Sequence, residues 1–537
     1  MKNRHRSQFK TLAIALLISL TSIFNVAQAQ IFDEEIYKFA KTFSIIEQNY
    51  VDSVDRPHLL ETAIVKMLEE LDPHSVYISK EDLKKMNEPL EGSFDGIGIQ
   101  FNILRDTLMV VATITGGPSE KVGLMAGDQI IEVDNEEIAG VGIKNSDVFD
   151  LLRGKKGTKV EVKVKRNGVK KPIDFTITRG KIPINSLDAA YLVDESTIYI
   201  KINRFSATTM QEYKEYFEKV STKNTKNLIL DLTANGGGYL KTAIDLADEF
   251  LNRDQMIVYT EGLNADQENY KASSGGYFKD GKVVIMIDEG SASASEIVSG
   301  AVQDWDRGVI VGRRSFGKGL VQKPFMLPDG SAMRLTIARY HTPSGRVIQK
   351  PYDKGVKKYR RNLLERYEHG EFMHQDSIDF PDSLTYETLK NKRVVFGGGG
   401  VMPDVFVPID TAHYSDFYRD LIRKGIFNQF ILSEVNSNRT QLLEKYPDFK
   451  SFKTNYTPTQ EFYEELLAYA KDEKVEPKDN DLERSEEAIK RQIKALVARN
   501  LYGYHEFFEL INPLDPIYLK AVEIINNDKE YNTILNN

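Results

Sequence analysis

Residues 283–296 read VVIMIDEGSASASE, and their pattern predicts the fold class of the central part of the chain. Its apolar first half is typical of a buried strand, and its Gly- and Ser-rich second half predicts a tight turn. A helical pattern of apolar residues follows, formed by Ile297, Val298, Ala301, Val302 and Trp305. A buried strand, a turn and a helix in this order indicate an α/β domain.

Ser293 lies at the predicted junction between this strand and this helix. A helix N-terminus offers unpaired N–H groups that can stabilise an oxyanion, and Ala292 and Ala294 leave room for a substrate carbonyl. The alternative is structural, because Ser293-Ala294-Ser295-Glu296 is also a capping box in which the serine only caps the helix. Taken alone, the segment favours the cap.

A nucleophilic serine needs a base, and the chain's eight histidines do not supply a convincing one. Only His341 lies in the α/β region; no G-x-S-x-G elbow accompanies it, and we interpret it as an ordinary strand residue. The H-E-x-x-H motif of zinc peptidases is absent. The chain also contains no cysteine, which excludes a cysteine nucleophile, thiolate metal sites and disulfides.

Lys318, between two glycines, is the other candidate base, although it could equally be a solvated turn lysine. At a pKa of about 10.4 only about one lysine in 2,500 is neutral at pH 7, so a basic role requires burial. Residues 312–319 nearly match a P-loop, but Gly319 lacks the hydroxyl that holds Mg²⁺ and strand-like sequence follows. We therefore do not expect nucleotide binding.

Residues 231–238 read DLTANGGG and close another short apolar run, Leu228 to Leu232. The glycines could expose backbone N–H groups to an oxyanion, but a permissive turn is the simpler interpretation.

The first 29 residues predict a signal peptide. A basic start, an apolar stretch over residues 12–26 and Ala27-Gln28-Ala29 form the pattern that a signal peptidase needs. The alternative is an uncleaved anchor, although the stretch is shorter than the roughly 20 residues that span a bilayer. The sequence thus predicts an exported protein of the periplasm or cell envelope, associated with the membrane at most peripherally or through this anchor.

The net charge of −8 argues against nucleic acid as a partner.

The 537 residues are too many for one core. Helical apolar spacing predicts a helical region over residues 30–88, and alternating runs around Asn167-Gly168 predict a strand-rich domain over 89–180 with a β-hairpin. Mixed α/β sequence covers 181–410, and its highly charged segment 351–394 is interpreted as an insertion or surface loop. Residues 411–537 are predicted to be helical.

Several motifs, taken in order, resemble the C-terminal processing peptidase (tail-specific protease) family of serine endopeptidases. The matching segments are residues 290–297, Gln303-Asp304, residues 316–319 with Gln322, Tyr340 with residues 342–346, and Pro403-Asp404. The resemblance covers roughly residues 35–410 and reverses the preference for a simple cap at Ser293.

The resemblance implies a Ser-Lys pair, with Ser293 as nucleophile, Lys318 as base and Gln322 orienting the lysine. Asp304 matches an acidic position of the family to which we assign no firm role. One departure is Thr233, which stands where the family usually has arginine and bears on substrate positioning.

The same resemblance assigns the oxyanion hole to backbone N–H groups. These belong to Ala294 and to either Gly237 or Gly238.

The strand-rich stretch resembles the family's PDZ domain. Gly96-Ile97-Gly98-Ile99 matches its carboxylate-binding loop, and Gly123-Leu124 with Gly127-Asp128 matches the following turn. Such a module adds a substrate's C-terminal tail as an extra strand, so the resemblance implies polypeptide substrates with accessible, apolar C-termini.

The expected architecture is multidomain α/β. It has a crotonase-like α/β protease core, an inserted PDZ domain and helical N- and C-terminal regions that could bind an adaptor or form a homo-oligomer. No cofactor is implied. The alternative function is a non-catalytic PDZ peptide-binding scaffold of the cell envelope.

Overall fold

The computed structural model describes residues 34–114, 116–276, 278–410 and 414–536, so the predicted signal segment lies outside it. The chain forms two compact units, residues 1–71 and 72–537. In the first unit the described residues form helices α1 (Glu34–Asn49) and α2 (Arg56–Glu69), as their apolar spacing predicts. Asp55 caps α2 by accepting the N–H of His58.

The second unit opens with a short strand, β1 (Val76–Ile78), and a helix, α3 (Lys80–Glu91). The strand lies inside the region predicted to be helical. It pairs antiparallel with the segment Ala332–His341, a partner far along the chain that local periodicity cannot reveal.

The strand-rich stretch forms the predicted hairpin-containing domain. Its elements are strands β2 (Ser93–Gly96), β3 (Ile99–Leu104), β4 (Thr107–Thr113), β5 (Gln129–Val133), β6 (Glu136–Glu137), β7 (Lys159–Lys165), β8 (Ile173–Thr178) and β9 (Gly180–Pro183), and helices α4 (Pro118–Lys121) and α5 (Asn145–Leu152). The main sheet has the order β3-β4-β5-β7-β8, and β2 pairs with β9. The Asn167-Gly168 hairpin is confirmed, because Val164 pairs with Ile173 across it.

The central α/β domain follows. Its elements are strands β10 (Leu187–Leu192), β11 (Thr197–Ile202), β12 (Asn227–Asp231), β13 (Met256–Gly262), β14 (Ala265–Lys271), β15 (Lys282–Ile287), β16 (Val309–Gly312), β17 (Leu320–Met326) and β18 (Ala332–His341), and helices α6 (Thr209–Val220), α7 (Leu240–Asp248) and α8 (Ala294–Asp304). Strands β11, β12, β15 and β16 are parallel neighbours in that order. The buried runs predicted around 228–232 and 283–287 are thus adjacent strands, β12 and β15.

This topology brings two turns together. Parallel strands end at the same edge of a sheet, and the glycine turn after β12 and the serine turn after β15 leave that edge side by side. A second sheet, with the order β1-β18-β13-β14 and with β17 paired to β18, lies beside it and carries the segment that follows Lys318.

The charged segment 351–394, interpreted from the sequence as an insertion or surface loop, is partly helical. It contains helix α9 (Val356–Glu368), short 3-10 turns at Gln375–Ser377 and Asp382–Leu384, and strand β19 (Thr385–Glu387). Tyr359 and Arg366 of α9 are buried, whereas Lys357, Lys358, Arg360 and Arg361 are exposed, so the helix buries one face that includes a charged side chain. Strand β20 (Val394–Phe396) then pairs with β19, and β21 (Val405–Phe406) completes the parallel sheet.

The described residues beyond 413 are helical, as predicted. The helices are α10 (Asp416–Arg423), α11 (Ile426–Lys445), α12 (Phe449–Asn455), α13 (Gln460–Asp472), α14 (Asp481–Leu501), α15 (Tyr504–Ile511), α16 (Pro516–Asn526) and α17 (Asp528–Asn536), with a 3-10 turn at Asn512–Leu514. The face predicted from Ile489, Ile493 and Leu496 is buried. Helix α16 packs on the parallel sheet through Ile517 and Ile524.

Candidate active site

Ser293 occupies a strained backbone conformation at the start of helix α8. Its φ of 57° and ψ of −109° lie in a region that non-glycine residues rarely adopt, at a cost of about 1–3 kcal/mol. A sharp strand-to-helix turn of this kind exposes a serine hydroxyl beside the unpaired N–H groups of a helix. The strain indicates that the position serves more than helix capping.

Glu296 holds this strained turn from within the protein. Its side chain is buried, and one carboxylate oxygen, Oε2, accepts the N–H of Ser293 at 2.7 Å and the N–H of Lys318 at 2.9 Å. The backbone nitrogens of the two residues therefore lie no farther apart than the sum of these distances. The other oxygen accepts the N–H of Gly317 at 2.7 Å and the hydroxyl of Ser315 at 2.5 Å. The predicted capping residue thus joins the serine turn to the lysine loop.

Tyr340 joins the same two residues through their carbonyl groups. Its hydroxyl contacts the carbonyl oxygen of Ser293 at 3.1 Å and that of Lys318 at 2.5 Å. The ring is buried, so this contact is shielded from water. Glu296 and Tyr340 together form a clamp, one on the N–H side and one on the carbonyl side.

The Lys318 side chain lies in a largely desolvated environment. Burial lowers its pKa to about 8, and the positive charge of Arg334 acts in the same direction, against Glu296 and Asp72. About one such lysine in ten is neutral at pH 7, compared with about one in 2,500 for an unperturbed lysine. Its amine donates to Oε1 of Gln322 at 3.1 Å. The amine is therefore partly buried, hydrogen-bonded to Gln322 and partly neutral at pH 7.

Gln322 is itself anchored by His74, a residue that sequence reasoning did not single out. Its Nε2 donates to the carbonyl oxygen of His74 at 2.5 Å. The His74 ring contacts the Tyr359 hydroxyl at 2.7 Å and packs edge-on against that ring. Neither residue belongs to a motif near Ser293 or Lys318 in the sequence, so only the fold reveals this contact.

The glycine turn after β12 packs directly against the serine turn. A Cβ on Gly237 would lie 2.8 Å from Ser293 Cβ and 3.0 Å from the backbone nitrogen of Ala294. Asn235 links the two turns, because its carbonyl oxygen accepts the N–H of Ala292 at 2.9 Å and the hydroxyl of Ser295 at 2.8 Å.

The two candidate oxyanion glycines differ. The N–H of Gly237 donates to Asn235 Oδ1 at 2.9 Å and is therefore occupied. Gly238 forms a parallel bridge with Phe205 in which the flanking residues make the hydrogen bonds, so its own N–H points away from Phe205. This N–H donates to no acceptor among the described residues, and Gly238 is the better candidate of the two.

Thr233, where the family usually has arginine, faces a buried ion pair. Its hydroxyl donates to Asp231 at 2.7 Å, and Lys201 donates to Asp231 at 2.9 Å and to the Thr233 hydroxyl at 3.0 Å. Lys201 from the neighbouring strand thus supplies the positive charge beside Asp231.

Asp304 lies at the other end of helix α8 from Ser293. The helix rise separates the two by about 16 Å along the helix axis. Asp304 pairs with buried Arg346 at 2.8 Å and accepts the N–H of Ser344 at 2.9 Å. These contacts fix the loop after β18 and place the carboxylate away from Ser293.

The Gly96–Ile99 loop opens strand β3, which lies at the edge of its sheet. Ile97 is buried, and its carbonyl oxygen accepts the N–H and the hydroxyl of Ser119 at 3.0 and 2.7 Å. Helix α5 flanks the strand, and Phe149 on it packs edge-on against Phe101 of β3. An open strand edge beside a helix provides the geometry for adding a peptide strand.

Two other sequence features, His341 and residues 312–319, belong to or lead into ordinary strands. His341 ends β18, where its Nδ1 contacts the Gly345 carbonyl at 3.1 Å, so it is a strand residue as expected. The near P-loop continues into strand β17 instead of a helix. The described part of the chain contains neither a cluster of residues suited to a metal ion nor a helix long and apolar enough for a membrane span.

Comparison with known families defines the class of protein. Residues 196–358 match Peptidase family S41, and residues 96–177 match the PDZ domain. Residues 19–82 match the activating protease CtpB N-terminal domain, and residues 417–503 match a family of unknown function, DUF8443. The chain is thus a serine peptidase with a mixed α/β core, an inserted PDZ domain and a helical C-terminal region.

Individual relatives narrow this class. The chain is 36% identical over 320 residues to the carboxy-terminal-processing protease of Bartonella bacilliformis, covering 59% of this chain and 73% of the relative. It is 35% identical over 321 residues to CtpB of Bacillus subtilis, covering 59% and 66%, and 32% identical over 380 residues to CtpA of that organism, covering 68% and 79%. The chain belongs to the carboxy-terminal processing proteases, and the scaffold alternative is set aside.

Proposed function

We propose that this protein cleaves polypeptides by acyl transfer, with Ser293 as nucleophile and the neutral amine of Lys318 as general base. The observation that carries the proposal is the single oxygen of Glu296 that accepts both the Ser293 and the Lys318 N–H groups. It brings the backbones of nucleophile and base together in a buried setting. Burial supports the basic role, because it lowers the lysine's pKa to about 8.

The reaction proceeds in two steps. The Ser293 hydroxyl attacks the peptide carbonyl while Lys318 takes its proton and then delivers it to the leaving amine. Water next attacks the acyl-enzyme, again with the lysine as base, and the serine is restored. Gln322 holds the amine in place, and the N–H groups of Ala294 and Gly238 stabilise the oxyanion. Asp304 takes no part in the proton transfers.

Substrate selection is assigned to the PDZ domain. The substrate's C-terminal tail pairs with the free edge of β3, and backbone N–H groups of Gly96–Ile99 receive its terminal carboxylate. Apolar side chains around the loop, such as buried Ile97, favour an apolar last residue. The basic and apolar residues 1–29 direct export, so the substrates are proteins of the cell envelope.

The test uses an unstructured peptide with an apolar C-terminus and the same peptide with a C-terminal amide. We expect the wild type to cleave the first faster than the second. Ser293→Ala and Lys318→Ala should each lose at least about a thousandfold in kcat. Full activity of either variant would overturn the Ser-Lys assignment, and equal cleavage of the two peptides would overturn carboxylate recognition alone.

A further inference from the structure

The segment that follows the first compact unit forms a tightly bonded turn beside the proposed base. The carboxylate of Asp72 accepts the N–H of His74 at 2.8 Å, the N–H of Ser75 at 2.9 Å and the hydroxyl of Ser75 at 2.6 Å. Asp72 and Ser75 are buried. The Ser75 hydroxyl also accepts the N–H of Thr336 on β18 at 3.1 Å. The turn is therefore fixed both internally and to the sheet.

This turn determines which face of the Gln322 amide meets the lysine. The amide presents an acceptor oxygen on one side and a donor NH₂ on the other. Since the His74 carbonyl accepts the NH₂, the oxygen must point toward the Lys318 amine. Without that anchor the amide could rotate, and its NH₂ would then face an amine that needs an acceptor.

We propose that the Asp72–Ser75 turn positions the catalytic base, acting on Lys318 through the His74 carbonyl and Gln322. The inference rests on the proposed Ser-Lys function and goes beyond it, because none of the turn's side chains touches the reacting atoms. The turn is a positioning element: it keeps the Lys318 amine oriented by Gln322 and shielded from water.

The charged groups around Lys318 determine how the activity is expected to depend on pH. Arg334 on β18 lowers the pKa of the lysine, whereas Glu296 on α8 and Asp72 on the turn raise it. His74 stays neutral at neutral pH, because burial lowers its pKa to about 4. Burial is the largest cause of the lowered pKa of Lys318. A looser turn would admit water to the amine and raise this pKa toward its usual value of 10.5.

The test compares two variants of equal charge. Asp72→Asn keeps an oxygen for the two N–H groups, whereas Asp72→Ala removes every acceptor that the Asp72 side chain supplies. The kcat/KM of peptide cleavage is measured against pH. We expect the acid limb of the Ala variant to lie at least about one pH unit above that of the Asn variant, with an activity about tenfold lower at pH 7 that returns at higher pH.

Two controls separate positioning from general damage. Asp329 makes a similar turn, accepting the N–H and hydroxyl of Ser331 at 3.0 and 2.6 Å at the β17–β18 hairpin, and Asp329→Ala should leave the pH profile unchanged. If Asp72 acts through Gln322, adding Asp72→Ala to Gln322→Ala should cost little more than Gln322→Ala alone.

Equal loss at every pH, or additive losses in the double variant, would overturn the inference while leaving the Ser-Lys assignment intact. An active Ser293→Ala variant would instead overturn the proposed function itself. Should Asp72→Ala not fold, Ser75→Ala removes two of the turn's bonds and must shift the acid limb upward by a smaller amount. No shift in that variant counts against the proposal.

Discussion

At the scale of single residues, the proposed reaction depends on the charge state of one amine. In that mechanism Lys318 must lose its proton before it can accept that of Ser293, so activity is expected to follow the neutral fraction of the lysine. The lowered pKa of about 8 makes that fraction appreciable at neutral pH without placing it at the maximum.

The first prediction is therefore a rise of kcat/KM with pH, with a midpoint near 8 in the free enzyme. The sign follows from the role of a base, which is inactive when protonated at low pH and active when neutral at high pH. Initial rates of peptide cleavage between pH 6 and 10 provide the measurement. Lys318→Arg should be inactive across the whole range, since arginine keeps its charge; a profile that falls with rising pH would contradict the assignment.

The second prediction concerns the carbonyl side of the clamp. Tyr340→Phe removes the hydroxyl that bridges the Ser293 and Lys318 carbonyl groups, leaving buried acceptors less well satisfied at a cost of about 1–3 kcal/mol in stability. We expect kcat to fall about tenfold while KM changes little, because the loss affects alignment rather than binding.

The matched control for Tyr340 is Tyr213→Phe, another fully buried tyrosine, whose ring stacks on Phe217 in the core. This variant should retain the wild-type kcat. A similar loss of kcat in both variants would show that the effect is not specific to the clamp.

Residue-level reasoning from the sequence assigned roles where a local motif was present. Ser293 and Lys318 were candidates from their local sequence, and Gln322 was added by the resemblance to the peptidase family. The role of His74 was invisible, because its contribution is a main-chain carbonyl that any residue possesses. The role of Tyr340 was similarly hidden, since its hydroxyl contacts depend on how β18 packs against the lysine loop.

At the scale of elements, the site is the meeting point of two turns that leave neighbouring strands. The strands were predictable from their apolar runs, and so was the helix after Ser293. Their adjacency was not, because parallel strands pair through connections that local periodicity does not describe. The short strand Val76–Ile78 was missed for the same reason.

The third prediction tests the glycine turn. A Cβ on Gly238 would lie 2.0 Å from the Phe205 carbonyl oxygen, so Gly238→Ala must displace the turn together with its open N–H. Gly236→Ala is the control, because a Cβ there meets nothing within 4 Å. We expect at least about a tenfold loss of kcat for Gly238→Ala and little change for Gly236→Ala, measured on the same peptide. Equal activity of both variants would remove the glycine turn from the oxyanion site.

At the scale of the second compact unit, the last helices are part of the peptidase core and not an appendage. Helix α16 packs Ile517 and Ile524 on the parallel sheet. At its start, Asp515 lines a cavity of about 300 Å³ with Lys201, Asp231 and Thr233. The sequence predicted the helices from their spacing, but it could not show that they cover the strand that leads to the glycine turn.

The fourth prediction follows from the buried carboxyl group at this contact. Asp515 caps α16 by accepting the N–H of Ile517 at 2.8 Å, and burial, followed by the charge of Asp231, raises its pKa to about 6. A carboxyl whose pKa is higher in the folded state favours folding while it is protonated and loses that contribution as pH rises through 6. Asp515→Asn keeps the cap without the titration. The Tm of this variant relative to that of the wild type should therefore increase as the pH rises from 4.5 to 7.5.

The control for this titration is Asp528→Asn at the start of α17. There the hydrogen bond from Lys282 lowers the pKa of the carboxyl, so the exposed pair favours the folded state once the carboxyl is ionised. The Tm difference between Asp528→Asn and the wild type should accordingly be small and of the opposite sign at neutral pH. A pH-independent Tm difference for Asp515→Asn would mean that the pKa of this carboxyl is the same in the folded and the unfolded state. In that case the burial of Asp515 would not affect the stability of the contact between the last helices and the strand that leads to the glycine turn.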